Sequence, residues 1–199
     1  LGFPRIGANR ELKKAVESFW KGNLSEKDLL AEGARLRKAH WQMQKSAGIE
    51  HIPSNDFSFY DQVLDMIATV GAIPERYSFS GNNIDLETYF SMARGNQKNG
   101  KDVTAMEMTK WFDTNYHYIV PELTKGQRFK LSSTKAVDEF NEAKNLGIKT
   151  RPVILGPVTF FYLGKEKEAG TRNKEMFANL LNVYVELLKK LEAAGAEWV

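Results

Sequence analysis

Apolar residues recur every three or four positions in several segments of the chain, which is the spacing of an amphipathic helix. The longest stripe predicts a helix from Lys174 to Ala194 with these apolar members: Phe177, Leu180, Leu181, Tyr184, Leu187, Leu188 and Leu191. A first helix is predicted from about Arg10 to Lys21, and Gly22 closes it. The pattern therefore indicates amphipathic helices that cover another layer of structure.

Two further helices are predicted from capping signatures. Ser25 with Asp28 precedes one helical run of apolar positions, and Ser58 with Asp61 precedes another. In each pair the hydroxyl can accept a hydrogen bond from the first turn of the helix. Both positions therefore predict helix starts.

Three segments share a pattern in which a helix ends at a glycine and a short apolar stretch follows. They read KSAGIEHIPSND, AKNLGIKTRPVILGP and LEAAGAEWV, with the glycines at Gly48, Gly147 and Gly195. Glycine adopts the left-handed backbone that closes a helix at little cost. This pattern predicts short strands near His51–Pro53, at Pro152–Leu155 and from Glu197 onward, and further short strands are predicted at Leu1–Arg5 and within Met108–Val120.

Strands that alternate with amphipathic helices indicate an α/β fold with parallel, right-handed units. Repeated units favour a (β/α)8 TIM barrel, and a doubly wound sheet is the alternative. A whole barrel takes about 250 residues. We therefore expect residues 1–199 to form one partial barrel, about its first half. Because an open sheet edge can pair with another chain, self-association is also expected.

Composition narrows the function classes. The chain has 199 residues, a net charge of +3 and no cysteine, so it can form neither disulfides nor thiolate metal sites. Basic and acidic residues are interleaved, which does not suggest nucleic-acid binding. No targeting signal or apolar run of membrane-spanning length is visible. A cytoplasmic protein fits these features.

The segment PRIGANRELKK follows the first predicted strand and places cations at a helix start. Arg10, Lys13 and Lys14 lie where the helix dipole favours negative charge. With free backbone N–H groups, these cations would form an anion site. In the alternative interpretation they flank Glu11 and Glu17 on a solvated face.

The segment SNDFSFYDQV offers Asp56 and Asp61 as an acid–base pair, although capping of a helix start explains them better. Its aromatic residues, Phe57, Phe59 and Tyr60, are expected to pack in the core. A free-standing hydrolase that uses Asp56 with Asp113 is a further alternative.

The segment EMTKWFDTNYHYIVPE surrounds one lysine with amphipathic rings. Lys110 stands among these residues: Trp111, Phe112, Tyr116, His117 and Tyr118. Such rings can line a groove while lysine or histidine binds an anion. In the alternative, the segment is an interior strand in which Lys110 pairs with Glu107 and His117 is hydrogen-bonded in the core.

Other chemical motifs are poorly supported. The three histidines, His40, His51 and His117, show no metal-binding spacing, and His40 falls on the apolar stripe of its helix. Neither phosphate-binding glycine loops nor a nucleophile elbow occurs. From the residues alone, the chain resembles a binding segment more than a catalytic one.

Five segments in order resemble the N-terminal region of the cobalamin-independent methionine synthase family over residues 1–199: LGFPRIGANRELKKAVESFWKGN, SNDFSFYDQVLD, EMTKWFDTNYHYIVPE, RPVILGPVTFFYLGK and GAEWV. The resemblance implies two facing (β/α)8 barrels. It also implies a methyltransferase that moves the methyl group of 5-methyltetrahydropteroyltri-L-glutamate to L-homocysteine, giving L-methionine without cobalamin. The catalytic zinc and homocysteine would bind to the C-terminal barrel, which is absent here, so this segment alone is expected to be inactive.

The resemblance also implies site residues. The folate contact of the RELK segment falls on Arg10, Glu11, Leu12 and Lys13, and the lysine of the MTKW motif falls on Lys110. These cations suit the carboxylates of a triglutamate tail. The N-terminal region would bind this tail, face its own C-terminal barrel and carry neither a catalytic residue nor a metal ligand. The alternative is a non-catalytic barrel module that binds another polyanionic metabolite.

Overall fold

The computed structural model describes residues 2–81, 83–97, 100 and 102–199. Within them lie seven α-helices: α1 Glu11–Trp20, α2 Glu26–Ser46, α3 Gln62–Thr69, α4 Leu86–Arg94, α5 Lys135–Asn145, α6 Pro157–Leu163 and α7 Lys174–Ala194. The strands are β1 Ile52–Ser54, β2 Met108–Lys110, β3 His117–Ile119, β4 Glu122–Leu123, β5 Thr150–Pro152 and β6 Lys165–Glu166. A 3₁₀ turn covers Glu75–Tyr77.

The strands form three two-stranded pairs. β1 pairs with β5 in parallel, with Ile52 opposite Thr150, and β4 pairs with β6 in parallel. β2 and β3 form an antiparallel hairpin with Lys110 opposite His117. The α/β class is thus confirmed, and the described residues form no closed barrel.

The strand predictions succeeded in part. The strand near His51–Pro53 is confirmed as β1, while the one at Pro152–Leu155 begins earlier, as β5. The strand predicted at Leu1–Arg5 is wrong for residues 2–5, where the backbone N–H of Phe3 donates to Asp56 over 2.9 Å instead of joining a ladder. Leu1 itself lies outside the described residues. No strand begins at Glu197.

The strand predicted within Met108–Val120 is found there as two short strands, β2 and β3, which pair antiparallel and not in parallel. The reason is that β1 pairs directly with β5, so the segment between them along the chain supplies no strand to that pair.

The helix predictions are confirmed with small shifts. α1 lies inside the predicted Arg10–Lys21, and α7 has the predicted bounds. Ser25 caps α2 by accepting the N–H of Asp28 over 3.1 Å. At α3 the cap is Asp61, not Ser58, because the Asp61 carboxylate accepts the N–H of Leu64 over 2.9 Å.

The three helix-ending glycines have the expected left-handed backbone, with φ of 80° at Gly48, 67° at Gly147 and 94° at Gly195. Lysines reinforce two of these helix ends. The ammonium of Lys45 donates to the carbonyl of Gly147 over 2.9 Å, and that of Lys144 donates to the carbonyl of Ala194 over 2.8 Å. Cations at helix C-termini also interact favourably with the helix dipole.

The chain divides into two compact units. The first contains residues 2–59, Ala136–Ile154 and Leu191–Val199, and the second contains Tyr60–Lys135 and Leu155–Lys190. In the first unit, Trp41, Ile52, Ala143 and Ile148 form a buried cluster, and the Trp41 indole donates to the carbonyl of Pro53 over 3.0 Å.

The second unit buries its own set of apolar side chains, including Leu64, Ile67, Met92, Ile119, Leu123, Phe160, Leu180 and Leu187. No helix in the described part of the chain is both long enough and apolar enough to cross a bilayer.

Candidate functional site

The loop before α1 turns tightly and presents Arg10 to solvent. Gly7 and Arg10 both have left-handed backbones, with φ of 82° and 62°. The N–H of Arg10 donates to the carbonyl of Gly7 over 3.2 Å, and that of Leu12 donates to Ile6 over 3.1 Å. Leu12 is 2% exposed, so it anchors the helix in the core. Its side chain is therefore not available to a ligand.

Glu11 folds back over the start of α1. Its carboxylate accepts the backbone N–H of Asn9 over 2.9 Å and the Asn9 amide over 3.4 Å. Hydrogen bonds from its own backbone N–H and from that of Asn9 hold the pKa of Glu11 below its usual range. A Cβ on Gly7 would lie 2.2 Å from a carboxylate oxygen of Glu11, so only glycine permits this approach. The expectation of free backbone N–H groups at the start of α1 is therefore wrong for Asn9 and Glu11, whose N–H groups bond to the Glu11 carboxylate.

The cations of this segment are exposed. Lys13 forms an ion pair with Glu17 over 3.6 Å, and both side chains are about half exposed, so the pair is weak. Arg10 and Lys14 form no ion pair with any described residue. The solvated-face alternative thus holds for Lys13, while Arg10 and Lys14 remain open to an external anion.

Lys110 ends β2 and is also exposed. Among the described residues no carboxylate pairs with it, because Glu107 pairs with Lys165 instead. His117, opposite Lys110, is exposed, and its Nδ1 lies 3.1 Å from the carbonyl of Asn115. The alternative of an interior strand with a Glu107–Lys110 pair and a core histidine is therefore wrong.

Asp61 braces the hairpin that carries Lys110. Besides capping α3, its carboxylate accepts the N–H of Ile119 over 3.0 Å and the hydroxyl of Tyr116 over 2.8 Å. Asp61 is 1% exposed, and its burial raises its pKa although these hydrogen bonds oppose the rise. The sequence identified Asp61 as a capping residue, but nothing in the local pattern pointed to its bonds with the hairpin.

The remaining candidates have structural roles. Asp56 accepts the N–H of Phe3, and Asp113 is exposed in the hairpin loop, so the structure gives no support to a hydrolase pair. Phe57 is 3% exposed and packs edge-on against Phe59, which confirms the packing interpretation.

His40 stacks on Phe3 with ring centroids 4.5 Å apart, and burial lowers its pKa. The described residues contain no group of three or more side chains suited to holding a metal ion.

A sequence profile described as "Cobalamin-independent synthase, N-terminal domain" matches residues 1–199. The chain belongs to the cobalamin-independent methionine synthase family. The resemblance of the five sequence segments is thereby confirmed, and the profile assigns the matched region to the N-terminal domain of the family.

Curated relatives share the family and carry one name, 5-methyltetrahydropteroyltriglutamate–homocysteine methyltransferase. The protein of Flavobacterium johnsoniae is 58% identical over 200 residues, which cover 100% of this chain and 26% of that protein. The protein of Mesorhizobium japonicum is 55% identical over 213 residues, which cover 100% of this chain and 27% of that protein. The protein of Nitrobacter winogradskyi is 54% identical over 214 residues, which cover 100% of this chain and 28% of that protein. The chain thus spans about a quarter of the length of these cobalamin-independent methionine synthase relatives.

Proposed function

We propose that this chain is the folate-polyglutamate-binding and structural N-terminal part of a zinc-dependent methyltransferase. That enzyme moves the methyl group of 5-methyltetrahydropteroyltri-L-glutamate to L-homocysteine and gives L-methionine without cobalamin. The observation that carries the proposal is the match of the whole chain to relatives whose name states this donor and this acceptor. The partial (β/α)8 barrel and a cytoplasmic location belong to the same proposal.

Exposed cations support the binding role. The side chains of Arg10 and Lys110 have no carboxylate partner among the described residues, and Lys13 has a weak one. A triglutamate tail carries several carboxylates, and an arginine can bind a carboxylate through two parallel hydrogen bonds. In this proposal Arg10, Lys13 and Lys110 each bind the tail directly.

Glu11 and Leu12 have supporting roles. Glu11 fixes the turn that presents Arg10, because its carboxylate bonds Asn9. Leu12 holds α1 in the core. Both residues are therefore positioning residues for the cations beside them.

The described residues do not fit a catalytic zinc site, because they contain neither a cysteine nor a group of three possible ligands. The proposal therefore assigns zinc and homocysteine to other parts of the enzyme, including a second barrel. The contribution of this chain is to hold the methyl donor. Such positioning lowers the entropic cost of bringing the two reactants together.

Titration with triglutamyl and monoglutamyl 5-methyltetrahydrofolate tests the proposal in the full-length protein that contains this sequence. Wild-type protein should prefer the longer tail, and Arg10→Ala, Lys13→Ala and Lys110→Ala should each reduce that preference. A lost hydrogen bond between charged groups is worth about 1.5–3 kcal/mol, so the preference should fall about tenfold or more. Lys189→Ala, which removes an exposed lysine of α7, is the control and should leave it unchanged.

Retention of the wild-type preference in all three variants would refute the assignment of these residues. Equally tight binding of an unrelated tricarboxylate would instead favour a module for other polyanionic metabolites.

A further inference from the structure

Two large aromatic side chains of the second unit are exposed together. Phe112, in the loop of the β2–β3 hairpin, is 57% exposed, and Tyr162, on α6, is 67% exposed. Their ring planes lie within 9° of parallel, and their centroids are 6.5 Å apart. Single exposed apolar residues are common, but a stacked exposed pair offers a flat surface that water solvates poorly.

The backbone holds Phe112 in a costly conformation. Its φ is 48°, in the left-handed region that bulky side chains rarely adopt. The hairpin fixes this geometry, because the N–H of Trp111 donates to Tyr116 over 2.6 Å and the hydroxyl of Thr114 donates to Trp111 over 2.6 Å. Asp61 holds the hairpin in turn through Tyr116. Strain maintained in this way is characteristic of functional sites.

Tyr162 also lines an apolar cavity of about 520 Å³. Its other lining residues are Val158, Phe161, Arg172, Asn173, Lys174 and Phe177. The guanidinium of Arg172 lies 5.4 Å from the centre of the Phe161 ring, so a cation and an aromatic floor stand together. Cavities of this size that combine apolar walls with a few polar groups suit small organic ligands.

Two exposed cations border this aromatic surface, and the acidic Asp113 follows Phe112 in the hairpin loop. Lys110 lies two residues before Phe112, and Lys174 lies at the cavity; neither forms an ion pair with a described residue. An apolar surface bordered by unpaired cations complements a ligand that carries both a flat ring and carboxylates. A bare polyanion would make no use of the rings, and an uncharged aromatic ligand would make no use of the cations.

We propose that Phe112, Tyr162 and the cavity beside Tyr162 bind the aromatic ring of a ring-bearing polycarboxylate, which is the p-aminobenzoyl group of the folate substrate. The inference rests on the proposed function, since Lys110 binds the carboxylate tail attached to that ring. Phe112 and Tyr162 stack on the ring and thereby fix where the tail begins. They select ligands in which a ring precedes the glutamates.

NMR-detected titration of the full-length protein that contains this sequence separates ring binding from tail binding. The probes are p-aminobenzoyl-triglutamate, which has ring and tail, and γ-linked triglutamate, which has the tail alone. Phe112→Leu and Tyr162→Leu should each weaken binding of the first probe about five- to tenfold and leave binding of the second within about twofold. Phe112→Tyr keeps a ring and should retain wild-type affinity. Trp198→Leu removes an exposed aromatic residue of the first unit and is the matched control.

Two results would overturn the inference. One is an equal loss for both probes, which would mean that Phe112 and Tyr162 act on the tail or on the fold. The other is unchanged affinity for both probes in the two leucine variants. Lys110→Ala, measured with triglutamate alone, reports on the proposed function independently, because this probe has no ring. Failure of the ring site with a normal Lys110 effect would therefore leave the proposed function intact.

Discussion

At the scale of single residues, the least exposed carboxylates are the most informative. Glu122 is 6% exposed, and both its oxygens accept hydrogen bonds from Arg76, over 2.8 and 2.6 Å. Burial alone would raise the pKa of Glu122. The hydrogen bonds and charge of Arg76, with a smaller effect of Lys167, outweigh burial and leave that pKa below its ordinary value. The pair therefore favours the ionised form in the folded state.

This pair should make stability depend on pH. A pKa that is lower in the folded than in the unfolded chain stabilises the fold above the unfolded pKa, about 4.3, and the stabilisation is lost as pH falls through the folded pKa. Glu122→Gln should therefore lower the free energy of unfolding by about 1–2 kcal/mol at pH 7, since Arg76 is only partly buried. The deficit should shrink below pH 4.5.

Urea denaturation of both proteins between pH 3 and 7 measures this difference. Glu175→Gln, in the exposed pair with Arg128, should change stability by less than about 0.5 kcal/mol. A deficit at Glu122 that stayed constant across this range would contradict the pKa shift.

Asp61→Asn should destabilise the second unit strongly. One carboxylate oxygen accepts the N–H groups of Leu64 and Ile119, and the other accepts the Tyr116 hydroxyl, which the nitrogen of an asparagine amide cannot accept. We expect a loss of about 1–3 kcal/mol in denaturant unfolding, because the bond from Tyr116 to a charged acceptor is lost. The exposed cap Asp85, which accepts the N–H of Thr88, is the control, since asparagine caps about as well there. Equal losses at Asp61 and Asp85 would show that Asp61 only caps a helix.

Whether a feature of the candidate site could be predicted depends on how far apart its interacting residues lie along the sequence. The exposed cations Arg10 and Lys110 were identified from the sequence because charge and local context lie within a few residues. The bonds of Asp61 to Tyr116 and Ile119 span 55 and 58 residues, and no local spacing encodes them. Glu11 was assigned as a folate contact only by resemblance; its bond to Asn9 depends on the turn at Gly7, which charge patterning does not reveal.

At the scale of elements, glycines at helix ends differ in what surrounds them. Gly48 and Gly71 both have positive φ, 80° and 67°. A Cβ on Gly48 would meet nothing within 4 Å. On Gly71 it would lie 2.7 Å from the Ser132 hydroxyl and 2.9 Å from the carbonyl of Lys130. The end of α3 therefore needs glycine both for its positive φ and for lack of space, whereas the end of α2 needs it only for its positive φ.

The pair Gly48→Ala and Gly71→Ala should separate these two reasons. Both pay the left-handed backbone cost of about 1–2 kcal/mol. Gly71→Ala should lose about 1–3 kcal/mol more, because the backbone of Lys130 must move. Free energies of unfolding from urea titrations give the comparison. Similar losses for both variants would mean that the Lys130 segment yields without cost.

Helices were predictable and strands were less so for a physical reason. The helical period repeats over 10 residues in α1 and 21 residues in α7, so several apolar positions support each assignment. β1, β2, β3 and β5 have only three residues each, and alternation cannot be recognised over so few positions. This explains why the sequence indicated a strand within Met108–Val120 but not its division into the antiparallel strands β2 and β3.

At the scale of the whole molecule, the chain leaves one strand and returns to its neighbour much later. Ile52 of β1 lies opposite Thr150 of β5, and most of the second unit lies between them along the chain. The alternation of strands and helices predicted parallel pairing correctly. It did not predict so long an excursion, because connections between neighbouring parallel strands are usually much shorter.

Salt should weaken tail binding in the proposed function. The chain carries a net charge of +3, and the proposed contacts join exposed cations to several carboxylates. The screening length falls from about 10 Å at 0.1 M salt to about 3 Å at 1 M. Affinity for the triglutamyl ligand should therefore drop severalfold between 50 and 300 mM KCl, and affinity for the monoglutamyl ligand should drop less. Equal sensitivity would argue against direct contacts to the tail.

At position 112, the residue that best suits the backbone conformation is not the residue that the proposed binding site requires. A glycine there would adopt a φ of 48° without a steric penalty, and the hairpin would relax. The same substitution would remove the ring that we assign to ligand stacking. Selection for thermal robustness alone would favour glycine at this position, whereas selection for ligand capture would keep an aromatic side chain despite its cost. In the proposed ring site, the phenylalanine at position 112 would therefore lower the stability of the fold in exchange for ligand recognition.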